Sequence, residues 1–387
     1  MNIRRFFAAS IPTGAALVFS AALVAGCGAG SDGSSGSDTA SAVGTRSAAT
    51  STAKLLVHYP TGFGHRITVH CGGAGRDWNT PIETTWTDGD VWQVTLTLTA
   101  GIQCKPLFDD TTWAVGPNWT LAVGQTLDMW PFFFHSGGRI AQTQNWHSNI
   151  LNNDRRIWTY YPPSYDENPH ERYPVVYMHD GQNLFYDEES FGGVSWAVGG
   201  AMDQGALNAT IHEAIIIGID NNADRISEYT PVPDPDDGGG NAAKYLAFIT
   251  NELKPQIDQQ LRTFADADHT AIVGSSLGGL VSLYAGLARP DVFHNVGALS
   301  PSTWWDNTWI IGQSSAAHAP LPKRVYIDSG NAGTSNDDVT NTANLANVWK
   351  QKSGVTVDYL VQNGASHSET YWRQRVPGTL GFLLGGR

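Results

Sequence analysis

Gly274-Ser275-Ser276-Leu277-Gly278 follows the apolar run His269-Thr270-Ala271-Ile272-Val273 and opens a run of helix-forming residues that extends through Ala288. The order is strand, tight turn, helix. Glycine makes up 42 of the 387 residues, so the five-residue pattern alone is weak evidence and its flanks give it meaning. A serine at the centre of such a turn is expected on a strained backbone with its Oγ exposed, while small flanking glycines let strand and helix approach closely. Ser276 is therefore the candidate nucleophile.

A serine hydroxyl needs a base to take its proton, and the base needs a carboxylate to fix its tautomer and stabilise the imidazolium. Both belong on loops at the carboxyl ends of later strands. Arg324-Val325-Tyr326-Ile327-Asp328 reads as a strand that breaks at Ser329-Gly330; the following loop holds Asp337 and Asp338, before a helical stretch from about Asn341 to Lys350. Val355 to Val361 alternates as a strand and ends in Asn363-Gly364-Ala365-Ser366-His367. His367 is the candidate base. Oxyanion donors are expected from the Leu277 backbone N–H and from that of Gln182, in the loop after the strand Pro174-Val175-Val176-Tyr177-Met178, where Gly181 permits a turn. His179-Asp180 lies beside them but lacks the His-Glu-x-x-His spacing or a cysteine cluster, so no metal site is expected. Serine chemistry of this kind requires no cofactor.

Three segments together resemble the putative-esterase group of α/β-hydrolases: Arg155 to Phe185; Gly218-Ile219-Asp220 with Arg225, Glu228, Tyr229, Thr230 and Pro231; and Gly274 to Leu280. That group includes enterochelin esterases, esterase D, feruloyl esterases and the mycolyltransferase antigens. The resemblance covers about residues 150 to 387 and implies an α/β-hydrolase fold with serine esterase chemistry, Ser276 and His367 standing in the nucleophile and base positions. The acid carries over less directly. In esterase D it follows an Asp-x-Gly turn as the first of an Asp-Asp pair, whereas here Asn331 to Ser335 separate Asp328-Ser329-Gly330 from Asn336-Asp337-Asp338. Asp337 is favoured, then Asp338, then Asp328. Arg225 and Glu228 match the group's Arg-x-x-Glu-Tyr segment and are expected to brace the loop beside the site through charge-assisted pairing. Arg225, Trp304 and Trp305 are the candidates for lining the substrate pocket.

At the amino end, Arg4-Arg5, an alanine-rich apolar segment and Val24-Ala25-Gly26-Cys27 make residues 1–27 read as a lipoprotein signal peptide, with Cys27 the lipidated residue of a lipobox. Pro12, Thr13 and Gly14 interrupt the apolar stretch, which argues against a transmembrane anchor. Residues 28–53 are dominated by Gly, Ser, Ala and Thr and read as a linker. Short alternating runs over residues 54–135 predict a small β-sandwich. Its Lys105-Pro106-Leu107-Phe108-Asp109-Asp110, Trp113 and Gly116-Pro117-Asn118-Trp119 resemble immunoglobulin-like, starch-binding-like modules, and Trp78, Trp86, Trp113 and Trp119 are candidates for stacking on sugar rings. Cys71 and Cys104 each share their strand's apolar face, which favours a disulfide in an exported protein. Residues 136–150 read as a second linker and 151–387 as the hydrolase domain.

The formal charge is -13 with pI near 5.2. No basic cluster stands out, which excludes a nucleic-acid partner and confines membrane contact to the lipid anchor. The sequence thus predicts an exported bacterial lipoprotein, periplasmic or at the cell surface, whose fold is an α/β-hydrolase catalytic domain behind a small N-terminal β-sandwich. Its expected substrate is a small-molecule or polysaccharide acyl ester, with carbohydrate-linked acetyl or feruloyl groups first. A siderophore esterase, an acyltransferase to a sugar and a non-catalytic surface binding lipoprotein are the alternatives.

Overall fold

The computed structural model describes residues 50–386; the signal segment, Cys27 and the linker up to residue 49 lie outside the described residues. The first nine strands are β1 (Ser51–His58), β2 (Ile67–Gly72), β3 (Pro81–Glu83), β4 (Thr85–Thr87), β5 (Val91–Leu98), β6 (Ile102–Phe108), β7 (Thr112–Trp113), β8 (Trp119–Leu121) and β9 (Thr126–Met129). They form two sheets, ordered β4-β5-β1-β9 and β3-β2-β6-β7, with β8 also pairing β6. Alternation buries Leu55, Val57, Val69, Leu96 and Leu98 between them. The first linker ends earlier than its composition suggested, because Ser51, Thr52 and Ala53 pair with Leu98, Thr97 and Leu96. The run from Thr120 to Met129 is two strands: Gly124, at φ 78°, turns the chain so that β8 joins one sheet and β9 the other. Cys71 and Cys104 sit directly opposite one another on β2 and β6 and are disulfide-bonded. Trp119 is buried in this core, whereas Trp86 and Trp113 are exposed.

The second linker is also displaced. Residues 139–148 form β10 (Arg139–Ser148), an edge strand paired antiparallel with β11 (Asn153–Tyr161). Its residues are mostly solvent-exposed, so its polar composition hides a strand. The hydrolase sheet continues with β12 (Val175–His179), β13 (Ile215–Ile219), β16 (Thr270–Ser275), β17 (Asn295–Leu299), β18 (Arg324–Gly330) and β19 (Thr356–Gln362). A short ribbon of β14 (Pro233–Asp234) and β15 (Gly238–Gly239) intervenes in the chain. The eight-stranded order is β10-β11-β13-β12-β16-β17-β18-β19, parallel from β13 onward.

Among the described residues the α-helices that accompany these strands are α1 (Val198–Asn208), α2 (Arg225–Tyr229), α3 (Ala242–Phe248), α4 (Lys254–Gln260), α5 (Leu277–Ala288), α6 (Trp305–Ala316), α7 (Val339–Lys350) and α8 (Glu369–Leu384). Period-two alternation sorts the apolar side chains to two faces. Val175, Tyr177, Ile217, Ile272 and Val325 pack under α2 to α7. Val176, Met178, Ile216, Val273 and Tyr326 pack under α1 and α8. Because both faces are covered, the loops at the carboxyl ends of the strands are the place where a site can open.

One carboxylate ties the sandwich to the sheet. Glu167 accepts backbone N–H groups of Phe133, Phe134 and His135 at 2.7, 2.9 and 2.6 Å, and the Tyr59 hydroxyl at 3.1 Å. Its side chain is 4% exposed, so removing it leaves those donors without an acceptor in a place water reaches poorly. Glu167→Ala is expected to cost about 2 kcal/mol and to lower the thermal midpoint, measured by calorimetry, with esterase turnover of the remaining folded protein unchanged.

Candidate active site

Between Ala271 and Val281 every residue is buried except Ser276. Its φ of 55° and ψ of -123° are costly for a residue with a side chain, on the order of 1–3 kcal/mol. The turn is held by hydrogen bonds around it: Ser276 N–H donates to Leu299 O at 3.0 Å, and Ser276 O accepts from Ser302 N at 3.0 Å and Leu280 N at 3.1 Å. Gly274 is required here, because a Cβ on it would lie 2.6 Å from the Gly278 backbone and 2.8 Å from His179. The outcome is a hydroxyl lifted out of an otherwise buried strand-to-helix junction, with Ser302 Oγ 3.4 Å away.

Of the three candidate acids, Asp337 is the one that meets His367: Nδ1 to Oδ1 is 2.5 Å. Asn336, Asp337 and Asp338 all have φ near 50°, a left-handed turn that Asn and Asp tolerate better than other residues with side chains. This turn sends the Asp337 carboxylate under the histidine. Burial pushes that carboxyl up, but donation from His367, Ser300 and the Gly330 N–H outweighs burial and holds it below the usual carboxylate range. Asp338 instead accepts from Thr303 Oγ1 and, at 2.9 Å, from Asn341 Nδ2, and burial raises its carboxyl. Asp328 is fully buried, 3.2 Å from Arg375 Nε, and burial pushes it up to about 6 against the pull of that guanidinium. Neither is placed against His367.

Ser276 and His367 open on one cavity of about 440 Å³, shared with Asp180, Gln182, Asn221, Arg225, Phe191, Glu369 and Trp372. Gln182 lies in a tight turn entered through Asp180 at φ 56°. Gly181 in that turn admits no side chain: a Cβ would lie 2.8 Å from the backbone of Gly218 and Ile219. Leu277 begins α5, where a first-turn N–H has no acceptor within the helix. Arg225 is bound through Nε and Nη2 to Asp180 at 2.8 and 2.9 Å, and Glu228 is bound to Arg155 at 2.7 and 3.0 Å. Each is thus paired with a partner distant in sequence, Arg225 with Asp180 and Glu228 with Arg155. Burial holds His179 down to about 3, so it is a neutral core residue facing the Tyr245 hydroxyl at 3.0 Å.

The tryptophan expectation needs correcting. Neither Trp304 nor Trp305 lines the cavity: Trp305 is buried with its Nε1 donating to Val232 O at 2.8 Å, and Trp304 lies on the surface. The loop after β17 turns its Ser302 end toward Ser276 and carries the indoles away. The apolar walls come from Phe191 and Trp372 instead. Sequence reading also passed over Glu369, Ser300 and Arg375. Arg375 left a signal, a charge within the buried stripe Trp372, Val376, Thr379, Leu380 and Leu383 of α8. Ser300 and Phe191 left none.

Comparison with known proteins places the chain in a family. Residues 148–383 match the family described as Putative esterase. The uncharacterized protein YbbA of Bacillus subtilis is 28% identical over 60% of this chain and 93% of its own length. The iron(III) enterobactin esterase of Dickeya dadantii is 33% identical over 43% of this chain, a match spanning 34% of that esterase. The solved structure of an IroE-like serine hydrolase from Shewanella oneidensis superposes with a TM-score of 0.54 at 22% identity, over 64% of this chain and 80% of that one, and shares its fold. With a half-buried serine on a strained strand-to-helix turn and a family match over most of the α/β-hydrolase sheet, the chain belongs to the Putative esterase family and is a serine hydrolase acting on ester bonds.

Proposed function

We propose that this protein is an exported lipoprotein esterase that cleaves carboxylic acyl esters through a Ser276-His367-Asp337 triad. The observation that carries the reading is the 2.5 Å contact between His367 Nδ1 and Asp337 Oδ1 beside a strained, half-buried serine that lines the same cavity. An ionised Asp337 can only accept, so Nδ1 bears the hydrogen and Nε2 is left to take the proton of Ser276. Ser276 Oγ then bonds to the acyl carbon, and the carbonyl oxygen becomes an oxyanion held by the Leu277 and Gln182 N–H groups. Collapse breaks the ester C–O bond, and His367 returns its proton to the departing alcohol. Water, deprotonated by His367, repeats the sequence on the acyl-enzyme and frees the acid. Export rests on the Arg4-Arg5 and Cys27 pattern.

Charge narrows the substrate. Arg225 is matched by Asp180, and the Glu369 carboxyl, raised by burial, adds one further acidic group to the cavity. When Glu369 ionises, the cavity is negative overall, inside a chain of charge -13. Neutral, hydroxyl-bearing esters fit that field better than anionic ones, and Phe191 and Trp372 offer apolar faces to an acyl group or ring. Carbohydrate-linked acetyl or feruloyl esters are the first reading, and the exposed Trp86 and Trp113 suit a sugar chain. Siderophore esters are the second, favoured by the similarity to an enterobactin esterase.

A fluorophosphonate probe is expected to label Ser276, and Ser276→Ala to abolish turnover with folding intact. Asp337→Asn should reduce kcat about 10³- to 10⁴-fold by fixing the wrong tautomer, while Asp338→Asn stays within roughly tenfold of the parent, since that side chain only supports the loop. Equal losses at the two positions would reject the assignment. Against acetylated xylan, methyl ferulate, a siderophore triester and a carboxylate-bearing aryl ester, Glu369→Gln should raise kcat/KM for the anionic substrate roughly tenfold and leave the neutral ones nearly unchanged; no change in that ratio contradicts the charge argument.

A further inference from the structure

Ser300 carries a hydroxyl that serine-histidine-aspartate chemistry does not require. It is 1% exposed, its φ is 40°, and it follows β17 directly beneath the acid. Its Oγ lies 2.6 Å from Asp337 Oδ2, 2.8 Å from Arg375 Nη2 and 3.1 Å from Trp372 Nε1. A guanidinium and an indole can only donate, and a serine hydroxyl has one hydrogen and two lone pairs. Arg375 and Trp372 therefore occupy both lone pairs, and the hydrogen has one acceptor left, the Asp337 carboxylate. This hydroxyl is a rotor with a single allowed orientation.

The donors are themselves held. Arg375 is 3% exposed and its Nε is 3.2 Å from Asp328 Oδ2, while Asp328 Oδ1 accepts the Ser300 backbone N–H at 2.9 Å. Asp328, third among the candidate acids, thus grips both Arg375 and Ser300. Trp372 and Arg375 are three residues apart on α8 and so share a face. The Trp372 indole also meets the His367 ring edge-on, with centroids 4.9 Å apart and planes at 85°. One side chain thus fixes the hydroxyl below the acid and limits the tilt of the imidazole above it.

We propose that Ser300 is a positioning residue: locked by Arg375 and Trp372, its hydroxyl joins the Gly330 N–H on Asp337 Oδ2 and leaves Oδ1 directed at His367 Nδ1–H. The proposal rests on the Ser276-His367-Asp337 reading and adds a fourth and fifth link, Ser300 and Arg375, behind the acid. It also gives the Ser300 hydroxyl a role that offsets the strain of φ 40°, a backbone conformation that glycine takes without strain.

Two variants separate hydroxyl from backbone. Ser300→Ala and Ser300→Gly both delete the hydroxyl, but only glycine relieves the left-handed backbone. Both are expected to lower kcat roughly 10- to 100-fold, the loss of one hydrogen bond to a charged group, with KM within about twofold, and to shift the far-downfield proton NMR resonance of His367 Nδ1–H. The glycine variant should melt no lower than the alanine variant while being as slow. Parental kcat and an unmoved resonance in Ser300→Ala overturn the proposal, and so does recovery of parental kcat in Ser300→Gly alone, because that assigns the effect to backbone strain. Labelling of Ser276 by the fluorophosphonate and the Asp337→Asn loss are measured first on the full chain, so that failure of the triad itself is seen separately.

Discussion

A carboxylate buried beneath a histidine is the condition on which this site turns. Removing the charge of Asp337 from water is unfavourable unless its oxygens are filled by donors, and here His367, Ser300 and the Gly330 N–H fill them. Those donors come from three different strand ends, so the carboxylate is satisfied only when β17, β18 and β19 are in register. Chemistry and folding are therefore specified by the same contacts. The fold uses the same solution elsewhere: Arg155 with Glu228, Arg225 with Asp180 and Arg375 with Asp328 are ion pairs in which at least one member is almost wholly removed from solvent. Each ties an element near the carboxyl edge of the sheet to one distant in sequence, which stiffens that edge.

The parallel sheet determines where such contacts are possible. Helices cover both of its faces, so side chains from the strand bodies are consumed by packing, and loops beyond the strands carry the polar groups. The sharpest demand falls after β16, where the chain reverses into α5 at once and Ser276 takes a conformation that only its surroundings sustain. Gly274 and Gly181 mark the two places where backbone passes backbone too closely for a side chain. Both lie in segments that carry the candidate oxyanion donors Gln182 and Leu277, so the glycines in these loops bear on where those amides lie.

Much of this was legible in the sequence because the decisive elements are locally coded. Strand β16 is a continuous apolar run ending in a glycine turn, β19 alternates and then breaks at Asn363-Gly364, and Asn336-Asp337-Asp338 is a run suited to left-handed backbone. Other features were not legible, for physical reasons. β10 is an edge strand with its side chains largely in solvent, so it lacks the alternation that announces a strand. Trp304 and Trp305 sit at the right strand end, but the direction of a loop is set by what it packs on, and Trp305 packs toward Val232. The division of Thr120 to Met129 between two sheets depends on one turn at Gly124, whose effect is visible only once both sheets exist.

The hardest part to read was the layer behind the acid, since its members lie far apart in the chain: Ser300, Asp328, Asp337, Trp372 and Arg375. No pairwise spacing identifies them. What the sequence does contain is an inconsistency, an arginine at a position of α8 that periodicity assigns to the core, between Trp372 and Thr379. A buried cation in an apolar stripe must have an anion and further acceptors in reach. In this fold the carboxyl ends of β17 and β18 supply them, so the polar residue that breaks the helix pattern leads straight to the support of the candidate triad. Departures from binary patterning are therefore more informative here than the pattern itself, because the hydrophobic stripes explain only how α8 is held against the sheet, while its one buried charge explains why it is held at the site.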